Sequence, residues 1–235
     1  MKKAFVLCGG KGTRLRPLTY AVPKPMLPVG RKPILEFVLA NLKRNGFNDV
    51  TLAVGYLKEH IKNYFGDGSK FGVRIDYLEE ASESGTAGCI LPAKSKIKDT
   101  FLVVMGDHLT NANLRELYEH HRKNNPLATI GLKRQGMPLE YGIAKVNETN
   151  NQILSFEEKP ILENLVNAGI YVFEPEIFDY ISQGSDFARD VFPLLLKKKK
   201  KLLAYIFDDY WMDIGRMEDY ESVHRIMSIL EITKE

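Results

Sequence analysis

The sequence predicts an α/β protein with a mixed, mostly parallel central sheet flanked by helices. Three observations carry this. Short apolar runs, AFVLC at 4–8, VTLAV at 50–54 and FLVVM at 101–105, alternate with helix-patterned segments. That is the signature of a parallel sheet covered on both faces. The first run ends in a glycine-rich loop, CGGKGTR at 8–14, at the strand end where open α/β sheets take ligands. Beyond residue 126 strand candidates crowd together without helices between them, so antiparallel strands are added to the sheet.

The elements follow in order. Residues 3–8 are the first buried strand. The segment 33–45 has proline in its first turn, Ile34, Leu35, Val38, Leu39 and Leu42 on one side, and Gly46 as its stop; this is a helix. Residues 50–54 are a strand and 58–65 a short helix. Alternation at 73–78 marks an exposed or mixed-sheet strand. Residues 86–93 read as a helix, 101–105 as a buried strand and 114–124 as a helix. In the second half 127–133, 142–146, 152–156 and 166–173 are strand candidates, with a turn at 148–151. Helices at 186–196 and 217–232 flank a strand at 202–207. No linker or repeat interrupts the pattern, so one domain over 1–235 is expected, with halves 1–125 and 126–235.

Apolar residues are 44% and charged residues 27% of the chain, which excludes a disordered or low-complexity class. Basic residues number 33 against 30 acidic, but five of the 33 are the consecutive lysines 197–201. Without them the balance is negative. Such a run reads as a solvated helix end, and a nucleic-acid partner is not expected. Apolar runs reach only about five residues, where a membrane span takes about 20, and the N-terminal run is too short for a signal segment. Cys8 and Cys89 form no paired motif and read as buried free thiols of a reducing, cytoplasmic compartment.

The glycine loop fails the dinucleotide fingerprint, because Leu15 stands where the third glycine belongs, and no window fits the Walker A pattern. What remains is a loop whose backbone N–H groups can approach phosphates. Lys11 and Arg14 add charge, and Pro23 and Pro25 stiffen the backbone around Lys24. An ordinary glycine-rich turn with surface cations has the same composition. Asp107 follows a buried strand through Gly106, a position that also suits a helix N-cap.

The run GGKGTRLRPLTYAVPKPMLPV at 9–29 resembles the signature loop of the sugar-1-phosphate nucleotidylyltransferases. Gly85-Thr86-Ala87-Gly88, Gly106-Asp107, Glu158-Lys159-Pro160, Asn167-Ala168-Gly169 and WMDIG at 211–215 follow in the family's order. The resemblance therefore covers nearly the whole chain, without room for the C-terminal β-helix that many relatives carry. It implies a Rossmann-like sheet whose added strands lie on the sugar-binding side. The implied reaction is attack by a sugar-1-phosphate oxygen on the α-phosphate of a nucleoside triphosphate, with Mg²⁺ as cofactor and pyrophosphate as product. A homo-oligomer is compatible with it.

The resemblance also implies roles for residues. Arg14 would meet the β- and γ-phosphates, Lys24 the α-phosphate and Lys159 the sugar phosphate. Leu7, Gly9, Gly10, Gly12, Thr13, Glu80, Gly85, Thr86 and Asp107 would line the nucleotide. Gly106, Tyr141, Gly142, Glu158, Asn167 and Tyr171 would line the sugar, although Tyr171 is equally well a core aromatic. Asp107 and Asp213 would hold the metal. The two acceptors of Glu80 match the N1–H and N2–H of guanine. This points to GTP with mannose 1-phosphate or a manno-heptose 1-phosphate, against a thymidylyl- or uridylyltransferase. Glu79, Glu80 and Glu83 together also fit a solvated acidic loop. His108 is placed either to touch the metal's waters or to cap its loop, and the cap is the favoured reading; His60, His120, His121 and His224 are read as surface or packing residues. A non-catalytic sugar-nucleotide sensor would be expected to lack an aspartate or lysine of this set, and none is missing.

Overall fold

Ala4 and Val6 enter one apolar cluster while Phe5 and Leu7 enter another. This is the consequence of period-two side-chain alternation in a strand buried on both faces. The computed structural model describes residues 2–80 and 84–232, with side chains through residue 226. Glu83 lies outside the described residues.

In chain order the strands are β1 (Lys3–Leu7), β2 (Pro28–Val29), β3 (Lys32–Pro33), β4 (Asp49–Val54), β5 (Arg74–Glu79), β6 (Phe101–Met105), β7 (His108–Thr110), β8 (Ala128–Pro138), β9 (Ile143–Asn147), β10 (Gln152–Glu157), β11 (Ile161–Phe173), β12 (Leu202–Phe207) and β13 (Trp211–Asp213). The α-helices are α1 (Ile34–Arg44), α2 (Lys58–Phe65), α3 (Leu114–Asn124), α4 (Phe192–Lys197) and α5 (Met217–Ile232).

Seven strands form one sheet in the order β12-β8-β11-β6-β1-β4-β5. Pairing is parallel at β12–β8, β6–β1, β1–β4 and β4–β5 and antiparallel on both sides of β11. One reversed strand thus joins the two halves of the chain. Helices α1, α2 and α3 supply Leu35, Leu39, Ile61, Phe65 and Leu117 to the cluster on one face. Phe178, Phe187, Phe192 and Leu195 cover the other. A third cluster, Leu15, Leu27, Val29, Ile34, Leu109, Ile214 and Val223, ties the glycine loop to α1, β7 and α5.

Several expectations are refined. The helix expected at 86–93 is a run of 3₁₀ turns, Gly88–Lys96, with Pro92 inside it; proline removes the donor an α-helix needs there. The helix expected at 186–196 begins as a π-turn, Phe187–Val191, capped by Asp186, whose carboxylate accepts from the Ala188 and Arg189 amides. Strands β8 and β11 run well past the predicted 127–133 and 166–173. Their outer residues 134–138 and 161–165 are solvent-exposed, so no apolar run announces them. β9 and β10 pair as an antiparallel hairpin around the predicted turn. The lysine run begins on the last residue of α4, Lys197, and is exposed, and both cysteines are free and buried. Among the described residues no helix is long and apolar enough to cross a membrane.

Candidate active site

The carboxyl ends of β1 and β6 open onto a cleft of about 220 Å³ lined by Leu7, Cys8, Gly10, Gly12, Thr13, Arg14, Lys24, Pro25 and Asp107. The loop's shape is set locally. Gly12 has a φ of 59°, a left-handed conformation that costs glycine little. Its carbonyl accepts from the Thr19 hydroxyl at 2.8 Å. Gly106 packs under the loop, its amide bonded to Leu7 O at 2.9 Å, and any side chain there would strike Cys8 Sγ.

Lys24 is 8% exposed and carries the cluster's charge. Its Nζ lies 2.5 Å from Asp107 Oδ2 and 3.4 Å from Asp213 Oδ1. The Arg14 guanidinium and the Asp213 carboxylate both stand beside Gly215. Asp107 does not cap a helix. Asn113 performs that task for α3, accepting from the Glu116 amide. Asp107 Oδ1 is buried without a hydrogen-bond partner, an arrangement that costs free energy unless a cation meets it.

His108 is the functional candidate that the sequence reading set aside. It does not cap its own loop. Its Nδ1 reaches Ala168 O on β11 at 3.0 Å, and its Nε2 faces Asp213 Oδ1 at 3.4 Å and Asp107 Oδ1 at 3.7 Å. β7 and β13 pair His108 with Asp213 directly. Burial opposes charge on His108, but Asp213 and Asp107 outweigh it and raise its pKa. Burial likewise opposes charge on Asp213, yet His108 and Lys24 hold its carboxyl far below the usual range. One ligand atom each from Asp107, His108 and Asp213 lie within 4.8 Å of one another. Oxygen-rich sites of this kind suit a divalent cation, so the residues fit the metal that the resemblance implies.

Glu80 turns inward while Glu79 turns outward to Lys58 and Lys62. The Glu80 carboxylate packs against Gly9, where any side chain would collide with it. Burial pushes its pKa up, opposed by a hydrogen bond with the Cys89 thiol. Burial, then the charges of Asp107 and Glu80, also push the Cys8 thiol well up. Gly85 has a φ of 68° and packs against the 184–185 backbone. The Thr86 hydroxyl donates to Asp186 at 2.7 Å and accepts from the Phe187 amide. Both therefore brace the loop at 182–187.

The sugar-side residues form a separate group. A side chain on Gly142 would lie 2.5 Å from Glu158 Oε2, so these two adjoin at the root of the β9–β10 hairpin. Lys159 is exposed and holds a φ of 47°, uncommon for a residue with a side chain. Tyr141 is 81% exposed. Among the described residues no hydrogen bond or ion pair joins Tyr141, Glu158 or Lys159 to Lys24 or Asp107. Asn167 bonds within β11: its amide donates to the Tyr171 hydroxyl at 3.0 Å and accepts from the Gly169 amide. Tyr171 itself is core, buried among Phe173, Phe187 and Phe192. Burial lifts its pKa to about 12. Of the other histidines, His121 is fully buried between Thr129 and Glu174, and His224 contacts Pro28 O.

The chain is 40% identical over 224 residues to a mannose-1-phosphate guanylyltransferase of Mycobacterium tuberculosis, covering 92% of this chain and 62% of that protein. It is 38% identical to a UTP–glucose-1-phosphate uridylyltransferase of Synechocystis, covering 96% and 63%. It therefore spans a little under two thirds of these curated relatives. It is also 38% identical to a D-glycero-alpha-D-manno-heptose 1-phosphate guanylyltransferase of Campylobacter jejuni, covering 93% and 96%. The solved structure of HddC from Yersinia pseudotuberculosis superposes with a TM-score of 0.77 at 25% identity, covering 97% of this chain and all of that one. The family described as nucleotidyl transferase matches residues 3–228, and the chain belongs to it.

Proposed function

We propose that the chain transfers a nucleotidyl group from a nucleoside triphosphate to a sugar 1-phosphate. The observation that carries this is the convergence of Lys24, Asp107 and Asp213 under a glycine loop that also presents Arg14. An oxygen of the sugar phosphate attacks the α-phosphorus, the bond from that phosphorus to the bridging oxygen breaks, and pyrophosphate leaves. Two anions must meet, so positioning and charge neutralisation dominate. Lys24 answers the charge that builds at the α-phosphate, and Arg14 presents a planar fork to the departing phosphates. The backbone of residues 10–13 cradles the triphosphate. Lys159, whose left-handed backbone is the kind of strain that gathers at working sites, holds the sugar phosphate. Gly142, Glu158 and Asn167 read its hydroxyls. Asp107 and Asp213 would hold Mg²⁺ or a similar ion, which neutralises triphosphate oxygens.

The donor is proposed to be GTP and the acceptor mannose 1-phosphate or a manno-configured heptose 1-phosphate. Glu80 supports this: it is half-buried beside the loop, and its two oxygens suit the paired N–H donors of guanine. Named relatives use both guanylyl and uridylyl donors, so the donor is decided by experiment. Pyrophosphate release is measured with ATP, CTP, GTP, UTP and dTTP against glucose, mannose and manno-heptose 1-phosphates. Highest kcat/KM with GTP and a manno sugar is expected. No turnover with any pair in the presence of Mg²⁺ or Mn²⁺ would refute the reaction, whereas UTP- or dTTP-only turnover refutes the base alone. Glu80→Gln is expected to lower kcat/KM for GTP relative to UTP by roughly 10- to 100-fold. An unchanged ratio shows that Glu80 does not read the base.

A further inference from the structure

The sequence reading gave the cation two oxygen ligands, and the fold delivers a nitrogen beside them. We propose that His108 supplies Nε2 as a third protein ligand and thereby tilts the site from Mg²⁺ toward Mn²⁺ or Co²⁺. The cation's task in this proposal rests on the nucleotidyl-transfer reading; its position rests on the geometry alone.

The tautomer follows from the partners. Ala168 O can only accept, so Nδ1, 3.0 Å away, carries the hydrogen. In the neutral ring Nε2 then presents a lone pair toward Asp213 Oδ1 and Asp107 Oδ1 at 3.4 and 3.7 Å. Asp107 Oδ1 is the one buried side-chain oxygen or nitrogen among the described residues that lacks a hydrogen bond. Three electron-pair donors therefore converge with no donor hydrogen assigned to the orphaned oxygen. With ligands about 2.1 Å from an octahedral metal, neighbouring ligand atoms stand about 3 Å apart; Nε2 stands 3.4 and 3.7 Å from the two oxygens, and one ligand atom of each residue lies within 4.8 Å of the others, so a modest contraction around an ion would bring the imidazole to each carboxylate.

The ring is also held as a ligating imidazole is held. A hydrogen bond from the non-ligating nitrogen to a carbonyl is the usual support of such a ring. Here Ala168 O also accepts from Trp211 Nε1 at 2.8 Å. Trp211 meets the imidazole edge-on, with ring centroids 5.4 Å apart and planes at 88°. Gly169 leaves the space the ring occupies, since a side chain there would lie 2.7 Å from His108 Cε1. Imidazole nitrogen is a better ligand for first-row transition ions, Co²⁺ more than Mn²⁺, than for Mg²⁺, which prefers oxygen. The competing account of the same geometry is a protonated His108 that pairs with Asp213 and never meets a metal.

Electron spin-echo envelope modulation of Mn²⁺ bound to the full chain separates the two. Spectra are recorded with Mn²⁺ alone and with Mn²⁺ plus tripolyphosphate, which contains no nitrogen. The expected result is directly coordinated imidazole nitrogen-14, replaced by a nitrogen-15 pattern when the protein is grown on nitrogen-15 histidine and absent in His108→Gln. The ratio of the Mg²⁺ to the Mn²⁺ dissociation constant is expected to fall about tenfold or more in His108→Gln, through weaker Mn²⁺ binding. Bound Mn²⁺ without histidine coupling in the unaltered chain overturns the proposal, as does failure of Mn²⁺ to bind under either condition. The labelled wild-type spectrum decides the matter even if the variant folds poorly. Turnover without histidine coupling sinks this inference and spares the function; coupling without turnover does the reverse.

Discussion

Asp107→Asn is expected to lower the proposed nucleotidyl transfer by roughly 10³-fold while leaving the chain folded. The substitution conserves shape and removes charge. It withdraws one of the two carboxylates that flank Lys24 and replaces one oxygen of that carboxylate with an N–H₂ group that repels a cation. Loss of a single well-placed charge-stabilising group typically costs about 10²–10³ in rate, and Asp107 both pairs with Lys24 and would meet the proposed cation. Lys24 keeps Asp213 as partner, so the folding cost is about 1–2 kcal/mol, below that of a fully broken buried pair. Pyrophosphate release reads the rate and circular dichroism reads the fold. Turnover within tenfold of the unaltered chain would remove Asp107 from the chemistry.

Phe101→Ala is the change expected to cost most in stability, about 4 kcal/mol. Phe101 is fully buried in the strand at the middle of the sheet. Its ring meets Phe5 edge-on at 5.5 Å and stacks with Phe178 at 5.6 Å, and Phe173 lies 5.8 Å away. Truncation therefore empties a space walled by three other rings on two sheet strands and the segment at 175–180. Such walls collapse poorly because each ring is already fixed by its own neighbours. Urea denaturation should show a lower midpoint with an unchanged slope. A loss under 1 kcal/mol would mean that the aromatic cluster repacks freely. Turnover below the new melting range should survive, because the ring lies at the far end of β6 from Asp107.

These two residues differ in how plainly the sequence shows them. FLVVM declares a buried strand, and the glycine after it places Asp107 at the strand's end. Arg14 and Lys24 are equally legible, since the stiff PKP segment and the glycine loop are local features. His108 is not. Its meaning depends on a strand pairing with Asp213, 105 residues onward, and on a carbonyl of β11. Neither leaves a local trace. The outer parts of β8 and β11 escaped notice for another reason: a strand exposed on both faces needs no apolar run, so hydrophobic pattern is silent there. Thr86 shows a third kind of loss. Its motif marks the family, yet in the fold its hydroxyl is taken up by Asp186 and Phe187, and sequence does not reveal which partner claims a hydroxyl.

β11 is shaped as a cantilever. From Tyr171 to Phe173 it is paired with both β6 and β8, and from Ile161 to Asn167 the strand paired with it among the described residues is β8. The register with β8 slips between Asn167 and Tyr171, at Ala168–Gly169, where the His108 and Trp211 side chains are fastened. Lys159, proposed to hold the sugar phosphate, stands just before the overhanging end, so the proposed sugar grip and the carbonyl that holds the imidazole are continuous along one beam.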